Sequence, residues 1–264
     1  MKTEYKEFLV VGGHGFIGSH FCKRLKPGSF DIYDTGLYNG NPSAALVAKR
    51  KSGLPESVAF IDLPKKVYKY VIHFGSLAGV RNGNSDLDFI FNNVDRLAVL
   101  KKYVRTEKWV YISSSSVLGD VDTAYKRSKL AAEQLFMDDA ALIVRPFTVF
   151  GEHGRPEMLV SLCANGKPMR VHGDPTKIRR YLTYVEDLVT CILSHLDYIG
   201  TINAVGHKKY TVKEVLDLFC VDYEIGQPSP YDFDKQTMDV AKIYVCTTPL
   251  EEKIEDLRKD ALTS

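Results

Sequence analysis

The sequence predicts an α/β fold: a doubly wound parallel sheet with a small C-terminal lobe after about residue 150. Three observations predict it. The run Phe8-Leu-Val-Val-Gly-Gly-His-Gly-Phe-Ile-Gly18 is apolar up to a glycine cluster and apolar again beyond it, which reads as strand, tight turn and helix. Short apolar runs then alternate with amphipathic stretches as far as Val144, the pattern of strands joined by crossover helices. Finally, 264 residues with 45% hydrophobic content suffice for a substantial core.

Taken in order, Gly12, Gly15 and Gly18 let the first turn bend, bring its backbone close to a ligand and press the next helix onto the strand. Helix N-terminal amides there suit a pyrophosphate. The second strand, Phe30 to Asp34, ends in a carboxylate about 20 residues on, where an acidic side chain grips adenosine ribose hydroxyls. No Arg or Lys directly follows Asp34, so the expected cofactor is NAD and not its 2′-phosphorylated form. A breaker-rich loop and a short helix around Ala44 to Lys51 follow. Val58 to Asp62 reads as the third strand and Tyr70 to Phe74 as the fourth, with Gly75 to Gly79 as the loop beyond it. Asp62 and that loop are expected at the carboxyl edge of the sheet, where open α/β sheets bind ligands. Asp86 to Val104 has the spacing of a long amphipathic helix, through Leu87, Ile90, Phe91, Val94, Leu97 and Ala98. Trp109 to Ser113 and Ala141 to Val144 read as the fifth and sixth strands.

The fifth strand runs into Ser113-Ser-Ser-Ser-Val-Leu-Gly119, and Tyr125-Lys-Arg-Ser-Lys129 heads the next helix. Positions four apart share a helix face, so Tyr125 and Lys129 point to one site. An ammonium beside a phenol favours the phenolate, making Tyr125 usable as a base. Beyond Arg145 to Gly151, a loop, a short helix from Glu157 to Ala164 and a strand within Lys167 to Asp174 read as a substrate-side lobe. There Arg155, Arg179 and Arg180 are candidate diphosphate clamps, because Arg offers paired donors to phosphate oxygens. A helix opens at Tyr184 and runs through His195, Thr201 to Ala204 is a strand, Thr211 to Glu214 is a capping box, and the tail ends in a charged helix from Leu250 to Lys259.

The charges, 35 basic against 33 acidic, are spread along the chain, which argues against nucleic acid or an anionic membrane as partner. Five widely spaced cysteines, Cys22, Cys163, Cys191, Cys220 and Cys246, without a C-x-x-C pair, argue for reduced thiols and against structural zinc, and no metal is expected. The charged start and the lack of a long apolar run imply neither signal peptide nor membrane span, hence a cytoplasmic protein.

With these residues in place, the chain resembles the extended short-chain dehydrogenase/reductases, in their NAD-dependent nucleotide-sugar epimerase/dehydratase branch. The likeness runs from about Lys6 to Phe219 and is dense at Gly12 to His20, Ser113 to Gly119, Tyr125 to Lys129 and Arg145 to Pro156. It implies a Rossmann-type domain over residues 1–150 and a reduced, interleaved substrate lobe over 151–264. It also implies Ser114 as the catalytic Ser/Thr, Tyr125 as acid/base and Lys129 on the nicotinamide ribose. Similarly, Gly12, Gly15, Phe16, Ile17, Gly18 and Asp34 would hold NAD, joined by Asp62, Leu63, Phe74, Gly75, Ser76 and Asn93. Arg81, Ser115, Ser116, Thr148, Arg155 and Arg180 would meet the substrate. Ala78-Gly-Val-Arg81, Arg145 to Gly151 and His153-Gly-Arg-Pro156 look most like the UDP-glucuronate 4-epimerases, which implies C4 epimerisation of a UDP-hexose or UDP-uronic acid through a 4-keto sugar. A homodimer through residues 86–104 and 125–136 is the family habit.

Departures are visible. The 4,6-dehydratases follow their catalytic Thr with Asp-Glu, and here those positions are Ser115 and Ser116. Phe74-Gly-Ser replaces the usual Leu-Ala-Ala, Leu118 replaces a Tyr, and near Asp232 to Gln236 only Lys235 stands where relatives carry a second diphosphate Arg. A dehydratase or 4-keto-sugar reductase, revealed by loss of water or net use of reduced cofactor, is the alternative, and a non-catalytic dinucleotide sensor is a third.

Overall fold

The computed structural model describes residues 4–36, 43–79, 84–228, 239 and 241–263. In chain order the elements are β1 (Glu4–Val11), α1 (Phe16–Lys23), β2 (Phe30–Tyr33), α2 (Ala44–Lys51), β3 (Lys66–His73), α3 (Asp86–Ile90), α4 (Arg96–Tyr103), β4 (Arg105–Ile112) and α5 (Ala124–Gln134). There follow β5 (Leu142–Pro146), β6 (Thr148–Phe150), α6 (Leu159–Ala164), β7 (Met169–His172), β8 (Arg179–Tyr184), α7 (Val185–Ser194), β9 (Gly200–Gly206), β10 (Lys209–Thr211), α8 (Val212–Leu218), β11 (Tyr223–Gly226), β12 (Lys242–Cys246) and α9 (Ile254–Leu262).

Seven strands form one all-parallel sheet in the order β12-β9-β5-β4-β3-β1-β2. Side chains alternate across it. Phe8 and Val10 of β1 join Phe16 and Phe21 of α1 and Leu188, Val189 and Ile192 of α7 in one core. Leu9 and Val11 join Leu97 and Leu100 of α4 with Ala132 and Phe136 in the other. Both faces are therefore covered, as the near-continuous apolar strands require, and a fully buried side chain such as Leu9 contributes about 2 kcal/mol. β9 and β12 come from the second half of the chain yet belong to this sheet. α7, from the same half, also packs on this sheet, and two smaller sheets, β10-β8-β6 and β11-β7, stand outside it.

Two elements differ from the sequence expectation. Val58 to Asp62 is not a strand. Ser57 makes one parallel bridge to Ile32, the Val58 N–H donates to the Ile32 carbonyl at 2.8 Å, and the chain then tightens into a 3-10 turn over Phe60–Lys65. Pro64, beyond the expected strand, has no N–H to extend a ladder past it, and its fixed φ suits the 3-10 turn that forms instead. The helical stretch after Ser85, opened by a Ser85/Asp88 capping box, is interrupted by a π turn over Phe91–Asp95. The extra residue rotates the helix, so its inward face is Phe89, Asn93 and Leu97, while Leu87 is 80% and Phe91 57% exposed. Of the expected stripe, Leu97 reaches the core, while Leu87 is exposed and Phe91 borders the cleft described below. The capping box at Thr211 and Glu214 forms at the head of α8. Among the described residues no helix is long and apolar enough to cross a membrane. All five cysteines are free thiols, four of them buried.

Candidate active site

β1 lies between β2 and β3, so the crossovers leaving β1 and reaching β3 run to opposite sides and open a crevice at the carboxyl ends of β1 and β3. A cleft of about 760 Å³ occupies this place, within the range of small-molecule sites. Its floor is the glycine turn. Gly12 has φ +78°, and a Cβ there would lie 2.7 Å from the Gly75 nitrogen, so two loops meet backbone to backbone. A Cβ on Gly18 would lie 2.2 Å from the Gly12 carbonyl oxygen, which is how closely α1 packs on the turn. Gly15 N–H donates to that same oxygen at 3.1 Å. Phe16, Ile17 and Gly18 line the cleft in the first turn of α1, where amides lack a preceding helical carbonyl.

Asp34, past the end of β2, is held in place by two backbone donors: His14 N–H to Oδ2 at 3.0 Å and Gly36 N–H to Oδ1 at 2.9 Å. Its own N–H donates to the Ser57 hydroxyl at 2.7 Å. Across the floor, Phe74, Gly75 and Ser76 line the cleft after β3, with both Phe74 and Gly75 N–H groups on the Val11 carbonyl.

Lys129 of α5 is buried. Its Nζ donates to Ser76 Oγ at 3.0 Å and to the Ile112 carbonyl at 2.8 Å. Burial pushes its pKa down to about 7, partly opposed by Glu133. Tyr125, one turn earlier, reaches the cleft beside Ser114, whose Oγ accepts from the Ser116 hydroxyl at 2.9 Å. Burial raises the Tyr125 pKa, while Ser114 and the Arg155 guanidinium pull it down. The pull of Arg155 on the phenol was not indicated by the sequence. Ser115, Ser116, Thr148, Arg155 and Arg180 complete the wall opposite the glycines. Among the described residues Arg155 Nη1 is buried without a hydrogen-bond partner, with the Glu157 carboxylate 3.5 Å away as a loose counter-ion.

Lys129 carries a pH prediction. Its folded pKa lies below that of the unfolded chain, so between about pH 7 and pH 10 the unfolded state binds more protons and stability rises with pH. Denaturant titrations across that window are expected to show the rise in wild type and a flattened profile in Lys129→Met.

Three expected cofactor contacts sit elsewhere. Asp62 lies on the 3-10 turn, half-exposed and paired with Lys65 at 2.7 Å, and Leu63 is fully buried in the core beside Leu97. With the third strand replaced by a turn, Phe60 lines the cleft in their stead. Asn93 is fully buried and spends its amide on protein: Oδ1 accepts from Leu77 N–H at 2.7 Å, and Nδ2 donates to the Leu77 carbonyl and to Ser128 Oγ, each at 2.9 Å. It fixes the Ser76–Leu77 loop to α5. Arg81 lies outside the described residues. Arg50 lines the cleft unforeseen, buried, with Nε and Nη2 on the His153 carbonyl at 3.0 and 2.7 Å.

Residues 8–206 match the NAD dependent epimerase/dehydratase family. The chain belongs to this family. Among curated members, a Bacillus subtilis protein described as an uncharacterized UDP-glucose epimerase is 28% identical over 80% of each chain. A probable UDP-glucuronate 4-epimerase of Rhizobium meliloti is 28% identical over 72% of this chain and 68% of its own. Trifunctional Arabidopsis thaliana UDP-glucose 4,6-dehydratases are 25% to 26% identical, and the match spans only 37% to 44% of their length. The crystal structure of a UDP-glucuronic acid 4-epimerase from Bacillus cereus, in complex with UDP-glucuronic acid and NAD, superposes with TM-score 0.80 at 22% identity over 97% of this chain and 99% of that one. This last likeness gives the fold. The family's cofactor fits the cleft on two grounds: a glycine floor that added Cβ atoms would fill, and an acidic side chain already oriented at the end of β2.

Proposed function

We propose that this chain catalyses NAD-dependent epimerisation at C4 of a nucleotide-diphosphate sugar, with a UDP-uronic acid preferred over a UDP-hexose. The observation that carries the reading is the convergence of Ser114, Tyr125 and Lys129 on one cleft with Arg155 acting on the Tyr125 phenol. When bound, NAD supplies the acceptor and donor of hydride at C4. The chain's own residues do the rest. Tyr125 takes the proton of the 4-hydroxyl and later returns it, Ser114 holds that hydroxyl by hydrogen bonding, and Lys129 with Ser76 braces the cofactor's ribose side. Gly12, Gly15 and the first turn of α1 hold the pyrophosphate, and Asp34 the adenosine ribose. Burial keeps the phenol protonated, so Ser114 and Arg155 supply the pull that makes it a base.

Arg155 was expected on the diphosphate. Its influence on Tyr125 supports a position at the sugar, and with Ser115, Ser116 and Thr148 it makes a wall suited to a carboxylate. Epimerisation is favoured over dehydration because the carboxylates lining the cleft, among the described residues, are Asp34 and Asp95, neither of them on the serine wall. Of the two remaining clamps, Arg180 lines the cleft and takes the diphosphate in this reading, while Arg179 is exposed and outside the cleft lining.

The test is a panel of UDP-sugars assayed with wild type and Arg155→Leu. Wild type is expected to turn over UDP-glucuronate in preference to UDP-glucose. Arg155→Leu is expected to lower kcat on both sugars, because its pull on Tyr125 is lost, and in addition to raise KM for the uronic acid by roughly a hundredfold, a charge-assisted contact's worth, with little change in KM for the hexose. Equal rises in KM on both sugars would return Arg155 to the diphosphate, and no turnover of any sugar would end the enzymatic reading. A homodimer is part of the same proposal, supported by the apolar side chains that Leu87 and Ile90 expose on one helical stretch away from the cleft lining. A monomer by light scattering would contradict it.

A further inference from the structure

We propose that Asp260, near the end of α9, is a positioning residue for Arg155, gripping the loop that carries it. The role rests on the reading of Arg155 as the side chain that binds the sugar's anionic group.

The Asp260 carboxylate holds His153 at two points. Oδ2 accepts the His153 backbone N–H at 2.7 Å, and Oδ1 accepts its Nδ1–H at 2.8 Å. Lys49 of α2 donates to the same Oδ1 at 3.1 Å, to the Asp260 carbonyl at 3.2 Å and to Thr263 Oγ1 at 2.6 Å, so α9 is tied to α2 as well. From the other side Arg50, the next residue of α2, donates to the carbonyls of His153 and Gly154. The loop between them is under strain. His153 has φ +60°, a left-handed conformation that side chains other than Gly adopt only when their surroundings impose it. Gly154 leaves no room either, since a Cβ there would lie 2.8 Å from Ser161 Oγ and 3.0 Å from the Gly151 carbonyl oxygen.

Arg155 comes directly after this clamp and enters the active cleft, where its Nη1 finds no hydrogen-bond partner among the described residues and has only the Glu157 carboxylate 3.5 Å away as a loose counter-ion. A guanidinium awaiting an anion is useful only if its Cα is fixed. Here the fixing is done from outside the cleft, by one carboxylate on α9. Asp260 is the acidic member of a surface hollow otherwise lined by Lys23, Lys49, Ser52, His153, Lys259 and Thr263. Without its charge the clamp loses both the donors' partner and the counter-ion of Lys49. The linkage is reciprocal: an anion that fixes Arg155 also favours the docked α9.

Two readouts test this on the full chain. The first needs no activity. Hydrogen–deuterium exchange of unliganded protein is expected to be faster over residues 151–158 in Asp260→Asn than in wild type, by about tenfold, the loss of one charge-assisted contact. The second is kinetic. Asp260→Asn is expected to raise KM for UDP-glucuronate about tenfold, with a smaller fall in kcat as the Arg155 pull on Tyr125 weakens and with NAD affinity unchanged, and Asp260→Glu to recover part of the loss. His153→Asn keeps the backbone contact and tolerates the left-handed conformation. It is expected to shift both readouts in the same direction by a smaller factor, and it serves where Asp260→Asn does not fold. A variant that loses thermal stability while exchange over 151–158 and KM stay at wild-type values would overturn the proposal. Should wild type turn over no UDP-sugar, the functional reading fails on its own, and the exchange experiment still decides whether Asp260 holds the loop.

Discussion

Replacing Tyr125 by Phe is expected to lower kcat by roughly a thousandfold, the usual contribution of a positioned acid/base, while KM for the sugar and affinity for NAD stay near wild type. The ring itself is well housed on α5, with the Phe89 ring centroid 5.9 Å away, so the variant keeps the packing and loses only the hydroxyl. That hydroxyl sits where burial opposes its ionisation and Ser114 and Arg155 favour it. A buried phenol held for structure alone would behave differently: its removal would change stability and leave turnover intact. Steady-state kinetics together with a denaturant titration of Tyr125→Phe separate the two cases.

The second large effect is expected from Gly18→Ala. The added methyl would meet the Gly12 carbonyl oxygen at 2.2 Å, a contact with backbone that no side-chain rotation relieves. Either the first turn of α1 lifts from the glycine floor or the turn itself opens, and the Gly15 N–H to Gly12 hydrogen bond goes with it. Overpacking of this kind costs about 3 kcal/mol, and the displaced amides no longer converge on a pyrophosphate. The expected result is a lower denaturation midpoint and a loss of NAD affinity of about a hundredfold, which corresponds to a few kcal/mol of binding energy. Calorimetric titration with NAD measures the second quantity directly, and an affinity within threefold of wild type would show that the glycine floor is not where the pyrophosphate lies.

The parts of this site that were legible in the sequence are those where backbone geometry dictates residue type. Only glycine fits at positions 12 and 18, and the four-residue spacing of Tyr125 and Lys129 is a helix face written in one dimension. Asp34 was legible because it ends a strand whose length is set by pairing with β1. What stayed hidden depends on partners far along the chain or on local departures from regular structure. Arg50 sits in the basic run Lys49-Arg50-Lys51, which reads as a solvated helix end, and its burial is decided by carbonyls at His153 and Gly154. Asn93 is turned inward by a π turn that leaves no mark in composition, while Leu87 is exposed and Phe91 borders the cleft. The third strand gave way after one bridge to a 3-10 turn over Phe60–Lys65, and Asp62 and Leu63 left the cleft with it. The spacing also does not show that the Lys129 ammonium donates to Ser76 and to the Ile112 carbonyl, or that burial pushes its pKa down. Charge placement of that kind is a property of the folded interior and is invisible to spacing.

The central claim is that Tyr125 faces a sugar C4 whose hydrogen leaves and returns within a single turnover. It is tested most directly by incubating the purified protein and NAD with UDP-glucuronate deuterated at C4 and following the sugar by NMR. The account predicts that the C4 epimer accumulates to equilibrium with deuterium still on C4 and with no net change in the oxidation state of the cofactor. An unaltered sugar, a product that has lost water, or an epimer carrying solvent hydrogen at C4 would contradict it.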